Sequence, residues 1–145
     1  MSVETRLLGP RDIDILDRCA DDVFDKTISR RFAAEFLGDA RHHVVVAIED
    51  NVVIGMATGV HYVHPDKAPQ LFINEVGVAS SHRGRGIGRE LLDKLVHRAV
   101  ELGCTEAWVL TDRENIAARR LYESAGASAP PDDCVMYTFP INDRI

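Results

Sequence analysis

The stretch SSHRGRGIGRELLDKL, residues 80–95, constrains this chain more than any other. It places three glycines directly before a helical pattern, although glycine costs backbone entropy and is a poor helix former. The helical pattern covers residues 86–102; its apolar face includes Leu91, Leu95 and Ala99, and Gly103 ends it. The stretch therefore predicts a loop that presents bare backbone and positive charge at a helix N-terminus.

Such a loop favours an anionic ligand, because the first N–H groups of a helix lack partners and the helix dipole adds positive charge there. Phosphate groups bind at such ends, and Arg83 and Arg85 add charge. The Walker pattern GxxxxGK[ST] is absent, and the dinucleotide pattern GxGxxG fails because Arg89 stands in place of its third glycine. A tight turn with surface arginines is the alternative interpretation.

Length and composition indicate one ordinary globular domain. The chain has 145 residues, of which 46% are hydrophobic and 28% charged. It has no apolar run near the roughly eighteen residues of a membrane span, and its N-terminus lacks the layout of a signal peptide. We therefore expect a cytoplasmic protein without a membrane partner. Cys19, Cys104 and Cys134 show no CxxC spacing, which favours free thiols over disulfides or zinc.

Charge is unevenly distributed. The net charge is −6, but residues 81–98 carry a local charge of +3, which leaves −9 on the rest of the chain. An acidic chain is a poor candidate for general nucleic-acid binding, so we expect no nucleic-acid partner. A basic island in an acidic protein indicates an anionic ligand at the island, and the acidic remainder suits a cationic second ligand. Solubility alone would also explain an acidic surface.

Hydrophobic periodicity predicts a mixed α+β protein. Strands and helices follow in the order β-α-α-β-β-β-α-β-α-β, and a parallel strand–helix–strand crossover spans residues 70–111. The predicted strands cover residues 3–8, 43–49, 52–63, 70–78, 104–111 and 134–139. The predicted helices cover residues 11–21, 29–37, 86–102 and 116–125. Asp50-Asn51 joins the second and third strands as a hairpin turn.

These motifs resemble the GNAT superfamily of acetyl-CoA-dependent N-acetyltransferases. The segment VGVASSHRGRGIGRELL is similar to the family's [RQ]-x-x-G-x-[GA] signature after a strand, here Arg83-x-x-Gly86-x-Gly88. The segment TDRENIAARRLYESAGA is similar to its N-x-x-A-x-x-L-Y-x-x-x-G helix. The resemblance implies one GNAT domain over residues 1–145. It also implies a mixed, mostly antiparallel twisted sheet flanked by helices, with a splayed parallel strand pair at the cofactor site.

The resemblance implies acetyl-CoA as the cofactor and assigns residues to it. In this family the loop amides bind the coenzyme A pyrophosphate, and the pantetheine arm pairs with the exposed backbone of the preceding strand. An amide-bearing arm can satisfy strand groups left unpaired by the splay. The positions matched to cofactor binding are Val76, Gly77, Val78, Arg83, Gly84, Arg85, Gly86, Ile87, Gly88, Arg89, Asn115, Ala118 and Tyr122.

Two residues of the last predicted helix have alternative roles. Asn115 can cap the helix or bind the pantetheine arm. Tyr122 lies seven residues later and therefore on the same helical face. A tyrosine with a pKa near 10 is protonated at neutral pH. The resemblance therefore favours Tyr122 as the general acid that protonates the departing thiolate, while a core tyrosine is the alternative.

Glu75 interrupts an apolar strand and is the candidate general base. The period of two places it on one strand face with Leu71, Ile73 and Gly77. Burial there would raise the pKa of its carboxyl group. The resemblance implies that Glu75, directly or through water, deprotonates the attacking amine, and that a strand amide near Val76 or Val78 stabilises the oxyanion. A solvent-facing or salt-bridged glutamate is the alternative.

The acceptor is less constrained. Within the superfamily the chain is most similar to the short aminoglycoside 3-N-acetyltransferases, which implies a polycationic small amine and a link to antibiotic resistance. Candidate substrate contacts are Glu75, Asp112, Glu114, Asp132 and Asp133. A polyamine, another small amine or a protein amine is the alternative acceptor, and a non-catalytic acyl-CoA-binding module is the alternative of another class. By analogy the chain could form a homodimer.

The pair His61 and His64 suggests a metal site only weakly, because no third ligand is evident. We therefore expect no metal and interpret this region as a loop that lines the acceptor site.

Overall fold

The computed structural model describes residues 2–130 and 133–142. Five strands form one sheet in which spatial order follows chain order, with antiparallel pairs from β1 to β4 and a parallel pair between β4 and β5. The strands are β1 (Glu4–Leu7), β2 (His42–Glu49), β3 (Val52–Tyr62), β4 (Gln70–Val78) and β5 (Glu106–Val109). The predicted mixed α+β class, with a mostly antiparallel sheet, is confirmed.

The described residues also contain three α-helices: α1 (Arg30–Gly38), α2 (Ile87–Glu101) and α3 (Ile116–Ser124). Their starts follow sequence signals, since Ser29 caps α1 and Asn115 caps α3 through side-chain oxygens. Helix α2 buries the apolar face predicted from the sequence, including Leu91, Leu95 and Ala99. Within the described residues, none of the helices is both long and apolar enough to cross a membrane.

The two faces of the sheet carry different elements. Gly55 of β3 faces α2, because a Cβ there would lie 3.2 Å from Leu91 Cδ1. Gly77 of β4 faces the other way, toward the Val23 carbonyl and Met56. The N-terminal part of the chain therefore covers one face, and α2 covers the other.

The helix predicted over residues 11–21 is wrong in kind and length. A short 3-10 helix covers Ile13–Asp17. The chain then leaves the helical path because the Ala20 N–H donates to the Val53 carbonyl and the Val53 N–H donates to the Arg18 carbonyl. Pairing with the start of β3 overrides the local helical pattern.

The closing strand predicted over residues 134–139 is also wrong. The described residues 133–140 adopt no helix or strand, and the side chains of Val135, Met136 and Tyr137 are exposed. β-Propensity measures how well side chains fit a pleated, half-buried surface. A strand also needs a paired neighbour, and the sheet ends at β5.

The hairpin turn at Asp50-Asn51 is confirmed. Both residues have positive φ, 52° and 63°. Two consecutive left-handed residues form the turn type whose twist matches that of the flanking strands, and Asn and Asp tolerate this conformation better than most residues.

Candidate active site

Within the part of the chain that the structure describes, the half of β4 that leads into the glycine loop has no strand beside it on the β5 side. Pairing between β4 and β5 runs from Gln70 opposite Glu106 to Ile73 opposite Val109 and stops there. Strand β4 continues to Val78, so its last residues diverge from β5. This is the splayed parallel pair that the sequence predicts, and it leaves backbone groups of β4 available to a ligand.

A β-bulge in β4 decides where the Glu75 side chain points. Ile73 is opposite Gly59 and Glu75 is opposite Thr58, so Asn74 is an extra residue in β4. Facing residues of an antiparallel pair lie on the same side of the sheet, and successive residues of β3 alternate sides. The prediction that Glu75 shares a face with Ile73 and Leu71 is therefore wrong, because the bulge reverses the alternation.

Glu75 instead shares a face with Gly77, as predicted, on the side away from α2. Its side chain is half-buried and, within the described part of the chain, has no hydrogen-bond or ion-pair partner. Burial and the nearby Asp25 carboxylate raise the pKa of the Glu75 carboxyl group. An unpaired carboxyl group in such surroundings is suited to proton transfer.

The three glycines of the loop have two different structural roles. Gly84 and Gly86 have φ of 78° and 76°, in the left-handed region, and a Cβ at either would meet no atom within 4 Å. Backbone conformation, not crowding, therefore requires glycine at both positions. Gly88 lies in the first turn of α2, and its Cβ would be 3.2 Å from Leu121 Cδ2 of α3. The missing side chain there lets α3 pack closely against α2.

Two of the loop arginines have charges that no carboxylate pairs with in the described residues. Arg83 Nε donates to the Val78 carbonyl at 3.2 Å, and Arg85 contacts the Ser81 carbonyl at 3.5 Å. Arg89 instead forms an ion pair with Asp93 at 3.1 Å, one turn later on α2. Open backbone, left-handed glycines and unneutralised guanidinium groups together fit a pyrophosphate group.

The loop is anchored at its start by a hydrogen-bonded chain. The Ser81 hydroxyl lies 2.7 Å from His82 Nδ1, and His82 Nε2 lies 2.8 Å from Glu49 Oε1 at the end of β2. The hydrogen bond from His82 lowers the pKa of the Glu49 carboxyl group. These contacts fix the direction in which the chain enters the loop.

Helix α3 carries the other predicted cofactor residues. The Asn115 side chain accepts a hydrogen bond from the Ala118 N–H at 3.1 Å, so its capping role is confirmed, whereas its contact with a pantetheine arm stays a prediction. Tyr122 is half-buried, and burial raises the pKa of its phenol. Its hydroxyl has no hydrogen-bond partner among the described residues, so it remains available as a proton donor.

Apart from Glu75, the acidic residues predicted to contact substrate follow β5 in the chain. Asp112 and Glu114 are exposed in the connection between β5 and α3. Asp133 forms an exposed ion pair with Arg113. Asp132 lies outside the described residues. Their contact with substrate stays a prediction.

The segment that lies over the end of β4, near Glu75, is not predicted from the sequence. Residues 18–25, here called the crossing segment, run from the start of β3 across the end of β4. Asp22 Oδ2 accepts a hydrogen bond from the Ser80 N–H at 2.8 Å, and that bond lowers the pKa of the Asp22 carboxyl group. The acidic run DDVFD, residues 21–25, was the available signal. The prediction of a helix over residues 11–21 left this acidic run without a role.

The histidines near the end of β3 do not form a metal site in the described residues, where no three potential ligands come together. His61 Nδ1 lies 2.7 Å from His43 Nε2, on the α2 face. His64 packs edge-on against Tyr62. His61 therefore does not line the face that carries Glu75, contrary to the expectation that this region lines the acceptor site.

Comparison with known proteins identifies the family. The model of the acetyltransferase (GNAT) family matches residues 13–127, so this chain belongs to the GNAT acetyltransferase family. The L-2,4-diaminobutyric acid acetyltransferase of Shouchella clausii is 33% identical over 90 residues, which cover 61% of this chain and 48% of that protein. The mycothiol acetyltransferase of Thermomonospora curvata is 36% identical over 88 residues, which cover 59% of this chain and 29% of that protein.

Solved structures share the fold. An aminoglycoside acetyltransferase from an uncultured soil metagenomic sample, in complex with trehalose, has a TM-score of 0.79 at 20% identity and covers 95% of this chain and 96% of that one. The aminoglycoside acetyltransferase AAC(6')-Iy, in complex with the bisubstrate analogue CoA-S-monomethyl-acetylneamine, has a TM-score of 0.78 at 19% identity. The match covers 97% of this chain and 99% of that one. The chain spans about half the length of the diaminobutyric acid acetyltransferases it matches.

Proposed function

We propose that this chain transfers an acetyl group from acetyl-CoA to a primary amine while both are bound. The observation that carries the proposal is the placement of Glu75, a half-buried carboxyl group with a raised pKa and no partner in the described residues. It lies on the unpaired half of β4, directly before the glycine loop. Membership of the GNAT family supports the same chemistry.

The donor site proposed for acetyl-CoA consists of the loop and the adjoining helix ends. The amides of residues 84–89 bind the pyrophosphate together with the guanidinium groups of Arg83 and Arg85, which form no ion pair with a carboxylate in the described residues. The unpaired backbone near Val76 and Val78 binds the pantetheine arm. Bound acetyl-CoA supplies an activated thioester. The protein contributes position, since bringing the amine and the thioester carbonyl together removes much of the entropic barrier.

Two side chains move protons in the proposed reaction. Glu75 accepts a proton from the acceptor ammonium, which frees the nitrogen lone pair to form the new C–N bond. After the C–N bond forms, the positively charged nitrogen loses its second proton to water. As the C–S bond breaks, its electron pair goes to sulfur, Tyr122 donates the proton that converts the thiolate to a thiol, and the Tyr122 phenolate then regains a proton from water. The raised pKa values fit both roles, because the carboxylate becomes a stronger base and the phenol stays protonated at neutral pH.

For the acceptor we propose a small polycationic amine of the aminoglycoside type, acetylated at the 3-amino group. The −9 charge outside the basic island supports a cationic acceptor. An amino acid with a side-chain amine is the second candidate, favoured by the sequence similarity to the diaminobutyric acid acetyltransferases. Cytoplasmic location and a homodimer remain part of the same proposal.

The test is an acetyl-CoA consumption screen over aminoglycosides, polyamines, diamino acids and peptides, followed by NMR of the product to locate the acetyl group. Turnover of an aminoglycoside that falls roughly 10²-fold or more in Glu75→Gln is the expected result. Strong acetylation of polyamines or diamino acids with no aminoglycoside turnover would show that the acceptor is wrong. Binding of acetyl-CoA without turnover of any amine would favour the non-catalytic module.

A further inference from the structure

The crossing segment is held over the unpaired half of β4 by backbone contacts. At one end, Arg18 and Ala20 pair with Val53. At the other, the Val23 carbonyl oxygen lies over Gly77, only 2.5 Å from where a Cβ of residue 77 would be. Any side chain at position 77 would therefore displace the segment, and glycine allows it to lie directly on the strand.

This contact brings a second carboxyl group to the face that carries Glu75. Asp25 lies two residues beyond Val23, and Glu75 lies two residues before Gly77. Asp25 is exposed and, within the described residues, forms neither a hydrogen bond nor an ion pair. The negative charge of Asp25, together with burial, raises the pKa of the Glu75 carboxyl group. The two acids thus lie close enough for their charges to interact, and neither forms an ion pair within the described residues.

Two unpaired neighbouring carboxylates repel each other, so a ligand that carries two positive charges is bound better there than one that carries a single charge. Glu75 faces the amine that reacts. Asp25 is then placed to bind a second ammonium group on the same acceptor through a charge-assisted hydrogen bond. A monoamine leaves Asp25 without a partner.

We propose, on the basis of the function proposed above, that Asp25 is the specificity-determining residue that selects acceptors with a second ammonium group beside the acetylated amine. Asp25 is not among the predicted substrate contacts, which are Glu75 on β4 and four acids that follow β5 in the chain. The substrate class that it selects is diamines and larger polyamino compounds. Acceptors with a single amino group are disfavoured.

The experiment compares matched acceptors that differ by one amino group: 1,4-diaminobutane with butylamine, and two aminoglycosides that differ by one amino-to-hydroxyl replacement. kcat/KM is measured for the wild type, Asp25→Asn, Asp25→Glu and the control Asp21→Asn, at a pH above the acidic limb of the rate profile. Asp21 is exposed on the same segment, but it is not among the charges that raise the pKa of Glu75.

We expect Asp25→Asn to reduce the preference for the second amino group roughly tenfold or more, the size of a lost charge-assisted hydrogen bond. kcat/KM for butylamine should fall by much less than kcat/KM for 1,4-diaminobutane, because butylamine loses only the effect of Asp25 on the basicity of Glu75, and the KM for acetyl-CoA should not change. Asp25→Glu should retain most of the preference, and Asp21→Asn should retain all of it. The acidic limb of the rate profile should also move to lower pH in Asp25→Asn, because the charge that raises the Glu75 pKa is gone. A purely structural role would not produce that shift.

An equal loss for both members of each pair, or a wild type that shows no preference, would overturn the role of Asp25 and leave the acetyltransferase proposal intact. Absence of turnover with every amine, while coenzyme A still binds, would overturn both proposals. Thermal denaturation of each variant shows whether it is folded, and an unchanged unfolding temperature is expected because Asp25 is exposed and unpaired in the described structure.

Discussion

At the scale of single residues, the candidate chemistry depends on groups that the fold leaves without partners. Glu75 and Tyr122 are both half-buried, and neither side chain has a hydrogen-bond partner in the described residues. Partial burial raises both pKa values, which strengthens one group as a base and keeps the other protonated. A fully exposed glutamate would be a weaker base than Glu75.

Tyr122→Phe should lower kcat roughly 10²-fold and change the KM for the acceptor little, because the phenol acts only when the thiolate leaves. Phenylalanine keeps the ring and its packing, so the unfolding temperature should stay within a few degrees of the wild type. Steady-state kinetics with acetyl-CoA provide the measurement. A kcat equal to that of the wild type would show that the leaving thiolate takes its proton from another source.

The informative control is an acyl donor whose leaving thiolate is less basic than that of coenzyme A. A thioester whose thiol has a lower pKa needs less protonation on departure, so the defect of Tyr122→Phe should shrink with it. If the defect were the same for both donors, Tyr122 would act by positioning and not by proton transfer.

At the scale of elements, the sequence predicts best where one signal decides the local structure. The strand Gln70–Val78 is predicted to the residue, and the ends of α2 and α3 agree with the structure to within one residue. Glycines at Gly103 and Gly126, with φ of 79° and 102°, mark the ends of both helices as expected.

Elements that depend on distant partners could not be predicted in the same way. The bulge at Asn74 arises from the register between β3 and β4, so the alternation of the β4 sequence alone places Glu75 on the same face as Leu71 and Ile73. The crossing segment keeps its path because Val53 forms backbone hydrogen bonds with it and Gly77 leaves room for the Val23 carbonyl. Asp25 acquires its proposed role only through those contacts, which local sequence does not encode.

Gly86→Ala should weaken binding of coenzyme A, because it disturbs the left-handed residue that directs the first amides of α2 toward the loop. Forcing alanine into that conformation costs about 1–2 kcal/mol of stability. Isothermal titration with coenzyme A measures the affinity, and chemical denaturation measures the stability.

Gly103→Ala is the matched control, since Gly103 has nearly the same φ, follows the other end of α2 and also has open space around its Cβ position. It should lose similar stability without losing affinity. Equal affinities for the two variants would contradict the assignment of the loop as the donor site.

At the scale of the whole molecule, two histidines and an arginine pack together at the end of the sheet far from the glycine loop. His43 is buried on β2, its ring lies beside that of His61 on β3, and Arg98 of α2 approaches both. Arg98 Nε is a buried atom without a hydrogen-bond partner in the described structure. Burial, followed by the charges nearby, lowers the pKa of His43 to about 4.

This cluster predicts acid sensitivity. The neutral form of His43 is favoured in the folded state, whereas an unfolded chain protonates it near pH 6.5. Above pH 6.5, His43 is neutral in both the folded and the unfolded state. As the pH falls from 6.5 toward 4, protonation of the unfolded chain lowers the free energy of unfolding by up to about 3 kcal/mol. The charged and titratable groups that face His43 are His61, Arg98, His42 and Asp39.

His43→Asn should flatten the dependence of unfolding free energy on pH between about 6.5 and 4, even if the variant is less stable at neutral pH. The exposed His97→Asn is the control and should leave the slope unchanged. Urea denaturation at several pH values measures both. A slope that persists in His43→Asn would assign the acid sensitivity to other groups.

The contact between Val23 and Gly77 also bears on how such a chain changes over evolutionary time. Main-chain atoms at Arg18, Ala20, Val23 and Gly77 hold most of the crossing segment, so the exposed side chains at positions 21 and 25 are not needed to keep its path. Substitutions at those two positions can accumulate while the donor loop stays intact. Acceptor preference and donor binding can therefore be inherited separately, and lineages with the same scaffold can diverge in substrate through changes in one short stretch.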